Sequence, residues 1–162
     1  MNAALFGKLP AHGDFIARGL SLPEREAIDQ WLSASLAAVQ GPSFEHRFDS
    51  AVPWRFVTRG SAGAVAASQD AGGRRYPLLL ALSPLTPDQA DDAAAGCEAL
   101  LYAAISECWT ADALVAQAAA LDPVRGEAAV PRWWLPGAEE RALAGDRPPE
   151  LIAAMLAVQE DA

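Results

Sequence analysis

The sequence contains few residues of the kinds that form disulfides or hold metals. Its 162 residues include only two cysteines, two histidines and one lysine. Cys97 and Cys108 lie eleven positions apart on a predicted helix, which is about 16 Å along the helix axis and too far for a disulfide. We therefore expect two reduced thiols that fill small spaces in the core, no metal site and no cofactor.

Long apolar runs are also missing. Alanine supplies 37 of the residues, so the 52% apolar content reflects alanine and not a membrane segment. The longest uncharged apolar run, residues 76–83, is far shorter than the roughly 20 residues that span a bilayer. The N-terminus has no long apolar stretch of the signal-peptide type. We expect one domain over residues 1–162, located in the cytoplasm without membrane insertion.

Positive charge is scarce and unevenly distributed. The formal net charge of −9 divides into +1 for residues 1–81 and −10 for residues 82–162. Because this excess of negative charge repels phosphates, nucleic-acid binding is disfavoured. Four acids early in the second half form a candidate acidic interface for a basic partner: Asp88, Asp91, Asp92 and Glu98. The alternative is a solvated helix face.

Short strands are predicted at 2–9, 54–58, 62–68 and 76–83. The links within the last three are short and contain glycine, which favours antiparallel hairpins. The apolar stretch at 77–82 does not alternate, as expected for a strand that is covered on both faces. The sequence thus predicts an α+β fold, with an antiparallel central sheet (an N-terminal strand plus the meander 54–83) flanked by helices.

Two capping boxes mark helix starts, Ser21-x-x-Glu24 and Thr86-x-x-Gln89. The second of these helices is predicted to be the longest and to cover 87–109. A shorter helix capped by Asp112 should follow, and an amphipathic helix should follow the paired prolines at 148–149.

The densest group of unusual residues surrounds one histidine and includes Lys8, His12, Gly13, Asp14 and Arg18. A carboxylate beside a histidine suggests acid–base chemistry, because the carboxylate can orient the imidazole. The alternatives are a structural loop, in which both side chains bond backbone groups, and a recognition surface. No nucleophile, metal partner or phosphate loop accompanies the group.

A second group contains Asp70, Gly73, Arg74 and Arg75. Paired glycines can present consecutive amides as an anion nest, and adjacent arginines would strengthen it. In a strand the two arginines would point to opposite faces, so one of them is expected to meet the interior. That arginine would need a carboxylate, with Asp14 or Asp70 as candidates.

Tryptophan occurs at two further positions of interest. Trp54 and Phe56 should share one face of a strand while Arg55 takes the other, which indicates core packing. Trp133 and Trp134 are adjacent and should also face opposite ways, so we expect one in the core and the other exposed at an interface.

Three of these segments together resemble the TagF/ImpM family of type VI secretion accessory proteins. The resemblance rests on FGKLPAHGDF at 6–15, PWRF at 53–56 and DAGGRRYPL at 70–78. It covers about residues 3–110, and the tryptophan pair at 133–134 is similar to a late pair in the family.

The resemblance implies a cytoplasmic, non-enzymatic regulator that represses type VI secretion after translation. Its implied partner is a forkhead-associated scaffold protein, or a baseplate or other secretion component, which would bring the chain to the inner face of the membrane. Two alternatives remain from the residues themselves. One is a small anion-binding or hydrolytic domain using His12, Asp14, Arg74 and Arg75, and the other is a structural subunit of the apparatus.

Overall fold

Six strands and five helices occur in short runs along the chain in the computed structural model, which describes the backbone of residues 1–160 and the side chains of residues 1–157. The strands are β1 (Asn2–Gly7), β2 (Ile16–Arg18), β3 (Trp54–Thr58), β4 (Ser61–Gln69), β5 (Arg75–Ser83) and β6 (Arg132–Trp134). The helices are α1 (Leu22–Ala37), α2 (Phe44–Ser50), α3 (Pro87–Ser106), α4 (Ala111–Ala119) and α5 (Leu151–Glu160).

All six strands pair in one antiparallel sheet in the order β2-β1-β5-β4-β3-β6. The α+β prediction is confirmed, and so are the meander and the placement of the N-terminal strand in the same sheet. Short connections produce the meander β3-β4-β5, whereas β1 joins it by pairing with β5, from Asn2 opposite Ser83 to Gly7 opposite Leu78.

Helices cover both faces of the sheet, so the core has two layers. One layer packs α3 and α4 against side chains such as Leu80 and Leu82 of β5. The other packs α1, α2 and α5 against residues such as Leu79. Burial on both sides explains why β5 has no apolar–polar alternation, as its sequence predicts.

The predicted ends of two helices require correction. Helix α3 ends at Ser106, so Cys108 lies beyond it, is exposed and has a φ of 58°. Cys97 is buried as expected, but the prediction that both thiols fill the core is wrong. Thr110, and not Asp112, caps α4 by accepting a hydrogen bond from the Ala113 amide at 3.2 Å.

The prediction that one residue of the tryptophan pair is exposed is also wrong. Trp133 and Trp134 do face opposite sides of β6, but each enters one of the two core layers. Trp133 stacks on Phe56 with ring centroids 4.3 Å apart, and the Arg132 guanidinium lies 3.8 Å from the ring centroid of Trp134. Both are buried because helices or loops cover each face.

None of the helices in the described part of the chain combines the length and apolar character that crossing a membrane requires.

The last helix is fastened to the first by side chains of α1. The Trp31 indole donates to the carbonyl oxygen of Pro148 at 2.7 Å, and the buried Ser35 hydroxyl accepts from the Ile152 amide at 3.1 Å. Ser35 therefore satisfies one of the free amides at the start of α5, a task usually performed by a residue of the same helix.

We expect Ser35→Ala to lower the free energy of unfolding by about 1–2 kcal/mol, because the Ile152 amide loses its acceptor in a buried position. Chemical denaturation followed by circular dichroism measures this loss. Ser43→Ala is the matched control: Ser43 is exposed and its side chain caps nothing, so its effect should stay within about 0.5 kcal/mol. Equal losses in both variants would contradict the assignment.

Candidate functional site

The first two residue groups singled out from the sequence meet at one end of the sheet. Gly7 and Leu78 are opposite each other in the β1–β5 pairing, so the segments that follow β1 and precede β5 leave the sheet side by side. The Ala71 amide donates to the His12 carbonyl at 2.8 Å, and the Arg74 guanidinium donates to the Gly13 carbonyl at 2.7 Å. We call residues 8–15 and 70–75 the two-loop corner.

Asp70 lies at the centre of the two-loop corner and is only 1% exposed. Its Oδ1 accepts from the amides of Gly72 and Arg74, at 2.9 and 3.0 Å. Its Oδ2 accepts from the Arg74 Nε at 2.8 Å and lies 3.2 Å from the Lys8 ammonium. The turn is closed by Gly73, whose φ of 81° favours glycine. The anion nest that the paired glycines make possible is therefore occupied by the chain's own carboxylate.

The surroundings of Asp70 keep it ionised. Burial by itself raises its pKa, but the Arg74 amide, the Lys8 ammonium and the Arg74 guanidinium outweigh burial and bring the pKa to about 2, below the usual 3.8. A carboxylate enclosed by cations and amides of two loops holds those loops in one arrangement, because separating them would leave a buried charge unpaired.

Lysine, and not arginine, is the cation that enters the interior. Arg74 pairs with Asp70 as one of the expected options, yet its side chain is 66% exposed, and Arg75 lies partly exposed against Asp49 at 2.7 Å. The expectation that an arginine is buried is therefore wrong. Lys8 is 8% exposed and also lies 4.7 Å from the ring centroid of Phe15, a cation–π distance.

His12 and Asp14 do not form an acid–base pair. The Nε2 atom of His12 accepts from the Ala111 amide at the start of α4, at 2.9 Å. Asp14 is exposed and its Oδ1 accepts from the Phe15 amide at 2.7 Å. Both side chains therefore bond backbone groups, as the structural-loop interpretation predicts, and His12 ties the two-loop corner to α4.

Arg18 reinforces that tie from the neighbouring strand β2. Its Nε donates to the Asp112 carboxylate at 2.8 Å, and the pairing lowers the pKa of Asp112. Both side chains are substantially exposed, so the pair contributes little to stability. Asp112 thus serves as a partner for β2 and not as the cap of its own helix.

Each member of the candidate acidic interface has a partner within the chain. Asp88 pairs with Arg125 at 3.1 Å, and Asp91 pairs with Arg132 at 3.3 Å. The Asp92 carboxylate accepts from the Val124 amide at 2.7 Å. These contacts fasten the irregular segment 121–131 and the first residue of β6 along α3, so the three aspartates hold a piece of the chain in place.

Glu98, the fourth acid, lies below the sheet, where it pairs with Arg55 of β3. Trp54 and Phe56 enter the opposite core layer, which confirms that Arg55 takes the other face of the strand. The Arg55–Glu98 pair therefore links the sheet to the middle of α3 and is largely shielded from solvent.

Sequence reasoning missed two participants in this region. Asp49 binds Arg75 through both carboxylate oxygens, at 2.7 Å each, but it lies 26 positions away and no local pattern marks it. The Ala111 amide has no side-chain signal at all. Among the described residues, no group of three or more histidine, cysteine or acidic side chains is placed to hold a metal ion.

The segments that form the two-loop corner lie within the part of the chain that matches a known class of secretion accessory domains. The family model "TagF N-terminal domain, Type VI secretion system-associated" matches residues 4–122. Because this match spans well over half of the sequence, the chain belongs to the TagF N-terminal domain family.

A solved structure extends the likeness further along the chain. The crystal structure of PA0076 from Pseudomonas aeruginosa PAO1 is similar with a TM-score of 0.65 and 25% sequence identity, covering 97% of this chain and 77% of PA0076. The common fold therefore continues well past residue 122. The comparison with curated proteins gives no match.

We expect Asp70→Asn to lower the melting temperature at pH 7 by roughly 5–15 °C, because Lys8 and Arg74 lose the charge that they enclose. The pKa of Asp70 is lower in the folded protein than in the unfolded chain, so its stabilisation is complete above about pH 4 and is lost as the pH falls through 2. The difference between the two proteins should therefore shrink between pH 4 and pH 2 in thermal scans.

The matched control is Asp122→Asn, since Asp122 is exposed. Its melting temperature should follow that of the wild type at every pH. A difference between wild type and Asp70→Asn that stays constant from pH 7 to pH 2 would contradict the role given to Asp70.

We expect His12→Ala to lower the free energy of unfolding by about 1–3 kcal/mol, because the Ala111 amide loses its acceptor. His46 is exposed on α2, so His46→Ala should change stability by less than about 0.5 kcal/mol. Urea denaturation of both variants makes the comparison. An unchanged stability for His12→Ala would instead favour the acid–base interpretation.

Proposed function

We propose that the chain is a cytoplasmic, non-enzymatic regulator that represses type VI secretion by binding another component of the apparatus through its two-loop corner. The proposed partner is a forkhead-associated scaffold protein or a baseplate component. Membership of a family associated with type VI secretion supports the system in which it acts. The contacts within the corner support the manner of action.

The observation that carries the proposal is the enclosure of Asp70 by both loops. This arrangement uses the charged groups of the motifs to fix backbone geometry: Lys8 and Arg74 bind Asp70. The imidazole of His12 is likewise engaged, by the Ala111 amide. Residues that a hydrolytic site would need are thus occupied in holding the loops, which favours recognition over catalysis.

The exposed part of the corner has the character of a contact surface. Gly13, Asp14 and Phe15 are exposed in one loop, and Ala71 and Gly72 are exposed in the other. Phe15 is 39% exposed and packs edge-on against Tyr76 with ring centroids 4.8 Å apart. A partly exposed aromatic ring on a rigid loop loses little entropy on binding, which suits a protein interface.

The test uses two exposed residues of the corner whose side chains do not contact Asp70, Lys8 or Arg74. We expect Asp14→Lys and Ala71→Glu to weaken binding to the purified forkhead-associated scaffold of the source cell by at least about tenfold, which corresponds to about 1.4 kcal/mol. Isothermal titration calorimetry with the full chain measures the dissociation constants. Thermal scans should show that both variants fold as the wild type does.

Secretion by the cell gives the second measurement. Cells that lack the chain should secrete more through the apparatus, the wild-type chain should restore repression, and Asp14→Lys should not. The control is Asp122→Lys, an equal change of charge on an exposed residue outside the corner, which should bind and repress normally. Normal binding and repression by both corner variants would refute the corner as the interface.

A further inference from the structure

A cleft of about 370 Å³ extends toward the end of the sheet that lies opposite the two-loop corner. Its floor is formed by small residues near the ends of the strands: Ala4, Ser61, Ala81 and Ser83. Its wall carries three aromatic side chains: Trp31, Phe56 and Trp133. Helix α1 lines the cleft through Glu24, Ile28 and Trp31, and the small side chains of the floor leave room between the helix and the strands.

Two arginines line this cleft without a carboxylate partner. Arg59 projects from the β3–β4 turn, and Arg147 lies in the loop before α5. Neither has a hydrogen bond or an ion pair within the described part of the chain. Six other arginines do donate to carboxylates: Arg18, Arg55, Arg74, Arg75, Arg125 and Arg132. Acids outnumber basic residues by 21 to 12, so carboxylates are plentiful, yet both arginines of the cleft lack one.

Both arginines are carried by backbone that the surrounding structure fixes. On one side, the Trp133 indole donates to the Gly145 carbonyl at 2.8 Å and the Trp31 indole donates to the Pro148 carbonyl at 2.7 Å. These bonds hold the loop on either side of Arg147. On the other side, Gly60 has a φ of 76° and its carbonyl accepts from the Leu85 amide at 2.9 Å, which anchors the turn beside Arg59.

Two acids also line the cleft. Glu24 is engaged at the start of α1, where its carboxylate accepts from the Ser21 amide at 3.1 Å. The Ser21 bonds, and to a smaller degree the charge of Arg147, lower the pKa of Glu24. Asp146 is exposed and adjoins Arg147. Both carboxylates carry negative charge and oppose an anionic ligand, but only Asp146 is free of a capping role, so its substitution tests this repulsion without disturbing α1.

We propose that this cleft docks an acidic segment of a partner protein, with carboxylates on Arg59 and Arg147 and an apolar side chain against the aromatic wall. Arginine pairs with carboxylates through two parallel hydrogen bonds. Phe56 and Trp133 are 3% and 2% exposed, so Trp31, which is only partly buried, supplies the apolar contact. The net charge of −9 repels an acidic segment from the rest of the surface, so these two arginines select the place of binding.

The two arginines of the cleft lie away from the two-loop corner. Ser83, at their end of β5, is eight residues from Arg75, which is roughly 26 Å along the strand. Phe6 lines the other end of the cleft and lies 6.1 Å from Phe15 between ring centroids, so the test variants are confined to the arginine end. Either proposal can fail alone, because the variants that test them lie at opposite ends of the sheet.

The experiment is a selection from a displayed library of twelve-residue peptides on the full wild-type chain. Counter-selection against the double variant Arg59→Gln, Arg147→Gln removes peptides that bind elsewhere. We expect the surviving peptides to contain two or more aspartate or glutamate residues flanking an apolar residue. Survivors without acidic residues, or no survivors, would overturn the proposal.

Single variants then test the contacts with one enriched peptide. Arg59→Gln and Arg147→Gln should each raise its dissociation constant about tenfold, by fluorescence anisotropy. Arg25→Gln is the matched control, because Arg25 is also an exposed arginine but does not line the cleft; it should bind as the wild type does. Asp146→Asn should bind roughly twofold to fivefold more tightly. Unchanged binding in both cleft variants would refute the assignment.

A second copy of the chain is the competing occupant. Light scattering of the wild type and the double variant distinguishes a second copy from a segment of another protein. A monomer in both cases agrees with an acidic segment supplied by another protein, whereas a dimer that the double substitution dissociates would overturn the proposal.

Discussion

The enclosed carboxylate of Asp70 is the constraint on which the geometry of the two-loop corner depends. It occupies a nest formed by its own turn, and it takes a buried ammonium from the segment after β1. A buried charge tolerates few alternative arrangements, because each leaves it without a partner. The cost of losing Asp70 therefore fixes the relative position of two segments that are some 60 residues apart in sequence. This is how residues that suggest chemistry come to act as structure.

Ion pairs and hydrogen bonds of carboxylates on α3 also hold a later segment of the chain in place. A helix with Asp88, Asp91 and Asp92 in its first half would ordinarily suggest a surface for a basic partner. Here Asp88 and Asp92 bind the irregular segment 121–131, and Asp91 binds Arg132 at the start of β6. The same acids at the same spacing could therefore serve as a partner surface or as internal anchors. Only the position of the later segment shows which role they have. Part of the negative charge in residues 82–162 is thus used in contacts within the chain.

Much of the fold could be predicted because its elements carry local signals. The capping box at Ser21, the three strands of the meander and the absence of alternation in β5 all have the physical causes assigned to them. Elements without local signals were missed: β2 has three residues and pairs with β1, and α2 has seven and is held by burial of Phe44 and Phe48. The sequence indicates Asp70 as a candidate ion-pair partner for a buried arginine. That Lys8 is the buried cation follows from the β1–β5 register, which no local pattern specifies.

The occupied ion pairs also limit where a partner can bind by charge. An acid that already holds an arginine must give up that contact before it meets another cation, so its attraction for a partner is reduced by the pair that breaks. The same reasoning applies to Arg74 and Arg75, which hold Asp70 and Asp49. Directional recognition is then left to groups without such partners: the exposed loop backbone and Phe15 at one end of the sheet, and Arg59 and Arg147 at the other. Net charge governs the approach of a partner, and these few uncommitted groups determine where it can stay.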